Sequence, residues 1–171
     1  MKIANRAREL ALALACVSCS QLTSVDVSVT TTASLPAQQQ LTPIALGNGF
    51  SSFGDSFSSA LSGSGNDLSH VQSAHITNAH LAAKDDGDLS FLSSVTFTLS
   101  ATGLPDVKLA TQTVFPKLTP SVSFDVDSNV EMLPYLQAGN ATVKPAVVYA
   151  TAAGRTVPVE AGITLHLKLK F

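Results

Sequence analysis

The sequence has 171 residues, of which 45% are hydrophobic and 13% are charged, and its formal net charge is −2. A chain of this length is enough for one domain with a sizeable core. Beyond the N-terminal leader the few basic residues are not concentrated enough to follow a nucleic-acid backbone, which argues against nucleic acid as a partner. Valine, threonine, serine and alanine are frequent, and this composition favours strands over helices.

The first 19 residues have the three parts of an export signal. A basic leader, MKIANRAR, precedes the short apolar run LALALA, and a small residue then precedes a cysteine. The apolar run is too short to span a bilayer as a helix. We therefore interpret residues 1–19 as a lipoprotein-type signal and anchor region, and residues 20–171 as one domain. Ordinary cleavage, which would release a soluble secreted protein, is the alternative.

Both cysteines of the chain, Cys16 and Cys19, lie in the stretch CVSC. The segment LALAC, which ends at Cys16, resembles the lipobox of bacterial lipoproteins, although Ala13 stands where leucine is usual. Cys19, which is followed by Ser-Gln, is the alternative lipidation site. A redox pair would need a βαβ context and a zinc site would need a second ligand pair, and the sequence has neither. CVSC therefore predicts attachment to a membrane through a lipid.

The segment SVDVSVTT alternates apolar and polar residues, as a half-buried strand does. Further on, FSSFGDSFSSAL spaces Phe50, Phe53, Phe57 and Leu61 by three and four residues, which places them on one face of a helix in an insertion near residues 50–66. We interpret this stripe as packing residues. A flap that covers an apolar ligand is the alternative.

From Val71 onward the chain reads as one strand after another, separated by turns. Pro145 places its strand at an edge or a bulge. The last segment, ITLHLKLKF, alternates without a break after the turn-flanked piece TVPVE, and is an attractive partner for the first strand. Seven or eight strands without βαβ alternation predict an all-β fold, an antiparallel β-sandwich of immunoglobulin-like type with one short helix. A β-barrel is the alternative.

The run SSVTFTLSATGLPDVKLATQTVFPKLTPSVSFDVDSNVEMLPYL has a characteristic order of features. A strand, a GLPDV turn, a second strand, a proline-marked loop, a third strand and an LPYL turn follow one another. This order resembles a group of small bacterial envelope lipoproteins and, more distantly, the water-stress (late-embryogenesis) sandwich domains. The resemblance covers about residues 70–171. It implies an immunoglobulin-like sandwich and brings no known catalytic residues.

Three histidines, His70, His75 and His80, are spaced by five residues. Regular alternation along one strand would place His75 on one face and the other two on the opposite face. A metal site would therefore need His166 or an aspartate brought in by strand pairing. We assign no metal ligand and no cofactor, and interpret the histidines as residues of exposed strand faces or turns.

The remaining candidate groups for chemistry are a cluster of aspartates and many serines. KDDGD, which holds Asp85, Asp86 and Asp88, lacks the ligand ladder of a helix-loop-helix calcium site and predicts a solvated turn. No serine stands in a Gly-x-Ser-x-Gly elbow, and no carboxylate pair suited to acid–base work is evident. We therefore assign no catalytic residue.

These observations predict a non-enzymatic protein of the bacterial cell envelope, anchored by lipid at Cys16 or Cys19 on the periplasmic face or the outer membrane. It would act as a structural or interaction module, with the membrane and another envelope protein as partners and without nucleic acid. An envelope protein that binds an apolar ligand such as a lipid, using Phe50, Phe53 and Phe57, is the alternative. A metal-dependent hydrolase is a more remote one.

Overall fold

The computed structural model describes residues 23–37, 44–45 and 50–170. The signal region with Cys16 and Cys19 lies outside the described residues. The described part forms nine strands and two α-helices, which are β1 (Ser24–Leu35), β2 (Ile44–Ala45), α1 (Phe53–Gly63), β3 (Val71–Ala83), β4 (Leu92–Ser100), β5 (Val107–Gln112), β6 (Ser121–Ser123), β7 (Asp125–Val126), α2 (Leu133–Gln137), β8 (Thr142–Tyr149) and β9 (Val157–Leu169).

The strands form two antiparallel sheets that pack against each other. One has the order β1-β9-β3-β6 and the other the order β2-β8-β4-β5-β7. Apolar side chains alternate along the long strands and point between the sheets, where they form one continuous core. The prediction of an antiparallel β-sandwich is confirmed. The barrel alternative is wrong, because the two sheets are separate layers and do not close on one another.

The pairing predicted between the first and last strands is present. β1 and β9 stay in one register from the pair Ser24 and Lys168 to the pair Leu35 and Val157. The sequence indicated two separate pieces in the C-terminal region, but β9 is a single strand that passes through Gly162. Position 162 needs glycine, because the His80 ring lies in the space that a side chain there would fill.

Helix α1 packs against β1 and β8. The helix begins at Phe53, so Phe50 lies outside it and instead forms an isolated antiparallel bridge with Val143. Phe50, Phe53 and Phe57 are 2%, 1% and 0% exposed. The Phe50 ring meets the rings of Phe53 and Phe97 edge-on, with centroids 6.1 and 5.8 Å apart. The stripe therefore lies inside the core.

The sandwich has two distinct ends. The proximal end is the one where β1 begins, and there the backbone amide of Leu169 donates to the carbonyl of Thr23. The distal end is the one where β1 finishes, beside Lys84, whose backbone amide donates to the carbonyl of Pro158. Since β1 has 12 residues, the two ends are about 35–40 Å apart at the usual rise of a strand.

Candidate functional site

Three connections that the structure describes in full meet at the distal end and are called the distal loops here. They are residues 84–91 after β3, residues 113–120 after β5 and residues 150–156 after β8. Backbone hydrogen bonds join them: Leu89 donates to the carbonyl of Thr119 at 2.9 Å, and Ala150 donates to the carbonyl of Phe91 at 2.8 Å. The three loops therefore form one connected surface.

The first distal loop contains the predicted aspartate turn. Asp85 and Asp86 both have φ values of 53°, in the left-handed region that short polar residues tolerate best after glycine. Gly87 follows in a buried position, where an added Cβ would stand 2.8 Å from the Cβ of Ala83 and 3.0 Å from a methyl of Val157. The backbone can therefore fold back closely on β3 and β9 at this point.

Asp88 connects the first distal loop to the second. Its carboxylate accepts hydrogen bonds from the backbone amide and hydroxyl of Ser90, at 3.0 and 2.6 Å, and from the amide of Thr119, at 3.0 Å. The hydroxyl of Ser90 contributes most to holding the pKa of Asp88 below its usual range, and the backbone donors add to it against a desolvation that raises it. Asp88 therefore holds the last part of the second distal loop in place.

The second distal loop presents apolar side chains to solvent. Leu118 is 86% exposed and Val114 is 65% exposed. Leu118 also has a φ of 57°, which is uncommon for a bulky side chain. Two hydrogen bonds of the next residue hold this conformation. The amide of Thr119 donates to Asp88, and the carbonyl of Thr119 accepts from the amide of Leu89. A strained, outward-facing leucine held by its neighbours is a feature that often accompanies binding.

Sequence reasoning did not identify Leu118. The pattern of VFPKLTP predicts only a proline-marked loop. The available signal is the presence of several apolar residues in a segment that has no helical or strand periodicity, since such residues have no obvious core face to occupy. The left-handed conformation itself depends on Asp88, which is 31 residues away from Thr119 in the sequence, and local patterns do not report such a contact.

Two open cavities flank the distal loops. The larger, of about 310 Å³, is lined by residues that include Asp86, Asp88, Ser90 and Arg155. The smaller, of about 250 Å³, lies between the end of β1 and Lys84. Both are shallow and carry polar groups, and the distal loops contain no histidine. The larger cavity is polar, and Asp88 in its lining is hydrogen-bonded to the loop that exposes Leu118. A polar hollow and an exposed apolar side chain thus lie in connected loops, which suits contact with another surface.

The aromatic stripe takes no part in these cavities. Phe50, Phe53 and Phe57 are core residues, and neither of the two cavities is lined by them. The alternative of a ligand flap requires these rings to stand against open space. In the structure they pack against each other, against Phe97 and against the sheets.

The histidine faces differ from the prediction. Register shifts between β3 and β9 occur at Val71/Ser73 and at Ile76/Asn78, and each bulge changes the alternation by one residue. His75 and His80 consequently share the outer face of the four-stranded sheet, and Ile76 is buried. His75 lies directly opposite His166 on β9. In the described residues, no three histidine, cysteine, aspartate or glutamate side chains converge closely enough to hold a metal by themselves.

No protein-family model matches this chain, and a search of curated proteins finds no match either. Within residues 23–37, 44–45 and 50–170, no helix is long and apolar enough to cross a membrane.

Proposed function

We propose that this protein is a non-enzymatic, lipid-anchored protein of the bacterial cell envelope that acts as an interaction module, and that the distal loops bind another envelope protein. The proposal is supported by the export-signal features of residues 1–19 and by the apolar tip of the second distal loop. It also agrees with the resemblance of residues 70–171 to small envelope lipoproteins.

The observation that carries the proposal is the exposed, left-handed Leu118. A leucine in this position adds no core packing, and its backbone conformation costs free energy, about 1–3 kcal/mol for a strained residue. Transfer of a leucine or valine side chain from water into a partner's surface contributes about 1.5–3 kcal/mol. Burial of Leu118 and Val114 by a protein partner would therefore offset the free-energy cost of this conformation.

The position of the loop relative to the anchor supports the same reading. Seven residues separate Cys16 from Ser24, the first residue of β1. A lipid on Cys16 or Cys19 would hold the proximal end close to the membrane on a short tether. The distal loops would then face away from the membrane, about 35–40 Å farther out along β1, where a partner protein can reach them.

Anchoring is tested by the intact mass of the protein extracted from membranes. We expect a mature N-terminus at one of the two cysteines, with a mass increment of lipid size. Cys16→Ala and Cys19→Ala, made separately, identify which cysteine carries it, since only one substitution should abolish the increment. An unmodified, soluble mature form would contradict the anchoring.

Partner binding is tested by a photo-crosslinking amino acid placed at Leu118 in the intact, membrane-bound protein. The matched control carries the same amino acid at Gln137, an exposed residue of α2 at the proximal end. We expect one defined protein adduct from position 118 that is absent from position 137 and is lost when Val114→Asp is added. Equal labelling from both positions, or adducts with lipid alone, would overturn the proposal.

A further inference from the structure

The outer face of the four-stranded sheet carries a histidine with two oxygen neighbours. The Nδ1 atom of His75 lies 3.1 Å from the backbone carbonyl oxygen of Val130. Its Nε2 atom lies 3.3 Å from the carboxylate oxygen Oε2 of Glu131. The two side chains are about one third and two fifths exposed, at 35% and 41%, so a small ion can reach both from solvent.

These two contacts determine where the histidine holds its hydrogen. A carbonyl oxygen only accepts hydrogen bonds, so Nδ1 must donate to Val130 and must carry the hydrogen. In a neutral ring, Nε2 then has a lone pair, and that lone pair faces a carboxylate oxygen of Glu131. Two electron-rich atoms in this position repel each other unless a positive charge lies between them. That charge is either a second proton or a metal ion.

The distance between the two atoms, 3.3 Å, suits a bridging metal ion. Zinc binds imidazole nitrogen at about 2.0–2.1 Å and carboxylate oxygen at about 2.0–2.2 Å, which places two ligands of a tetrahedral ion about 3.3–3.5 Å apart. The spacing of His75 and Glu131 thus fits the edge of such a tetrahedron.

The carboxylate is held in place by the backbone. Its other oxygen, Oε1, accepts hydrogen bonds from the amide of Ala74 at 2.8 Å and from the amide of Leu133 at 3.0 Å. This leaves Oε2 directed toward His75. The imidazole is likewise oriented by the carbonyl of Val130, an arrangement typical of histidines that bind metals through Nε2. Both ligand atoms are therefore positioned before an ion arrives.

A second imidazole stands beside the pair. His166 is the cross-strand neighbour of His75, and its Nδ1 lies 2.7 Å from the Oδ1 atom of Asp26. Within the described residues no hydrogen bond is made by Nε2 of His166. Because no third ligand converges on the pair among the described residues, a site here would take two ligands from this part of the protein and the others from solvent.

We propose that His75 Nε2 and Glu131 Oε2 bind a divalent transition-metal ion of the Zn²⁺ class at the surface of the four-stranded sheet. An imidazole ligand selects Zn²⁺, Ni²⁺ and Cu²⁺ over Mg²⁺ and Ca²⁺, which prefer oxygen ligands. The site lies on a different surface from the distal loops, so metal binding can be tested independently of partner binding.

The test is a calorimetric titration of the full chain with ZnCl₂ at pH 7.5. Both thiols are first removed by Cys16→Ser and Cys19→Ser, because cysteine binds zinc strongly. We expect saturable binding at one site, with affinity reduced at least tenfold by His75→Gln and by Glu131→Gln. The double substitution should reduce it by less than the product of the two single reductions, since both residues bind one ion. Titration with MgCl₂ should give no binding.

The matched control is His70→Gln. His70 is also exposed and also lies beside a carboxylate, with its Nδ1 atom 3.2 Å from Asp67, so its loss measures non-specific binding of zinc to surface histidines. We expect it to leave the affinity unchanged. Glutamine at position 131 keeps an oxygen for the amides of Ala74 and Leu133, and a thermal melt without metal checks that each variant folds. Absence of saturable binding, or equal effects of His75→Gln and His70→Gln, would overturn the site.

Discussion

The carboxylate of Asp88 accepts a hydrogen bond at 3.0 Å from the backbone amide of Thr119, 31 residues farther along the chain. Through this contact the turn after β3 fixes the backbone of the loop after β5. The left-handed Leu118 directly precedes this amide, so the contact helps to hold its conformation. A polar side chain in one loop thus positions an apolar side chain in another.

Asp88→Ala should lower the free energy of unfolding by about 1–3 kcal/mol, since it leaves the donors of Ser90 and Thr119 without their acceptor. It should also speed cleavage by trypsin after Lys117, because the loop is no longer held. Urea denaturation and limited proteolysis measure the two effects. Asp125→Ala, at an aspartate that is exposed, is the control and should change neither. Unaltered proteolysis in Asp88→Ala would show that the loop is held by other contacts.

The lowered pKa of Asp88 predicts a dependence of stability on pH. A carboxyl whose pKa is lower in the folded state than in the unfolded state, where it is about 3.9, stabilises the fold above that value. This contribution is lost as the pH falls through the folded-state pKa. Asp88→Asn should therefore be less sensitive to acid than the native protein below about pH 4. Parallel acid-unfolding curves for the two proteins would contradict this assignment.

Phe57→Ala should lower the free energy of unfolding by about 3–5 kcal/mol, the usual cost of removing a buried aromatic ring and leaving a cavity. Phe57 is completely buried, whereas Phe115 in the second distal loop is only partly so. Phe115→Ala is the matched control and should cost less. Urea denaturation measures both variants. A loss below about 1 kcal/mol for Phe57→Ala would instead indicate that the stripe is a movable flap.

Gly87→Ala should destabilise the protein by about 1–3 kcal/mol, because the new methyl group meets the backbone of Lys84 and a side chain of the core. Gly63→Ala provides the opposite case. It lies at the end of α1 with no atom within 4 Å of an added Cβ, so we expect a gain of about 0.4–1 kcal/mol through reduced freedom of the unfolded chain. Thermal melts compare the two. Equal effects would show that steric contact at Gly87 is relieved without cost.

Lys84→Met should raise the pKa of Glu160. The ammonium of Lys84 lies 2.8 Å from a carboxylate oxygen of Glu160, and its hydrogen bond and charge hold the pKa of that carboxyl below its usual range. An NMR titration of the Glu160 side chain measures the change directly. The pair is largely exposed, so little effect on stability is expected at pH 7. An unchanged pKa would show that other groups set it.

The long strands could be predicted from sequence because their alternation is set by one buried face. Val27 and Val29 in β1 and Leu165 and Leu167 in β9 point into the core as their spacing required. The outer faces were harder to predict. The bulge at Ile76/Asn78 lies between His75 and His80 and places both on one face. Its trace in the sequence is a spacing of three between the buried residues Ile76 and Ala79, where a regular strand has two.

The distal surface depended on contacts that link distant segments. The strain at Leu118 and the role of Asp88 arise only when two loops meet, and no local sequence rule connects residues that far apart. The helix at Phe53 was anticipated from the spacing of its aromatic residues. The same spacing predicts that Phe50 belongs to the helix. In the structure Phe50 instead pairs with Val143 as an isolated bridge, and its spacing fits both positions.

The position of β9 bears on how the chain acquires its structure during synthesis. β9 lies between β1 and β3, yet it is translated after every other described strand. Until residues 157–169 leave the ribosome, β1 lacks the strand with which it pairs along its whole length. Such long-range pairing slows folding. The growing chain would therefore keep the outer edge of β1 unpaired until residues 157–169 emerge.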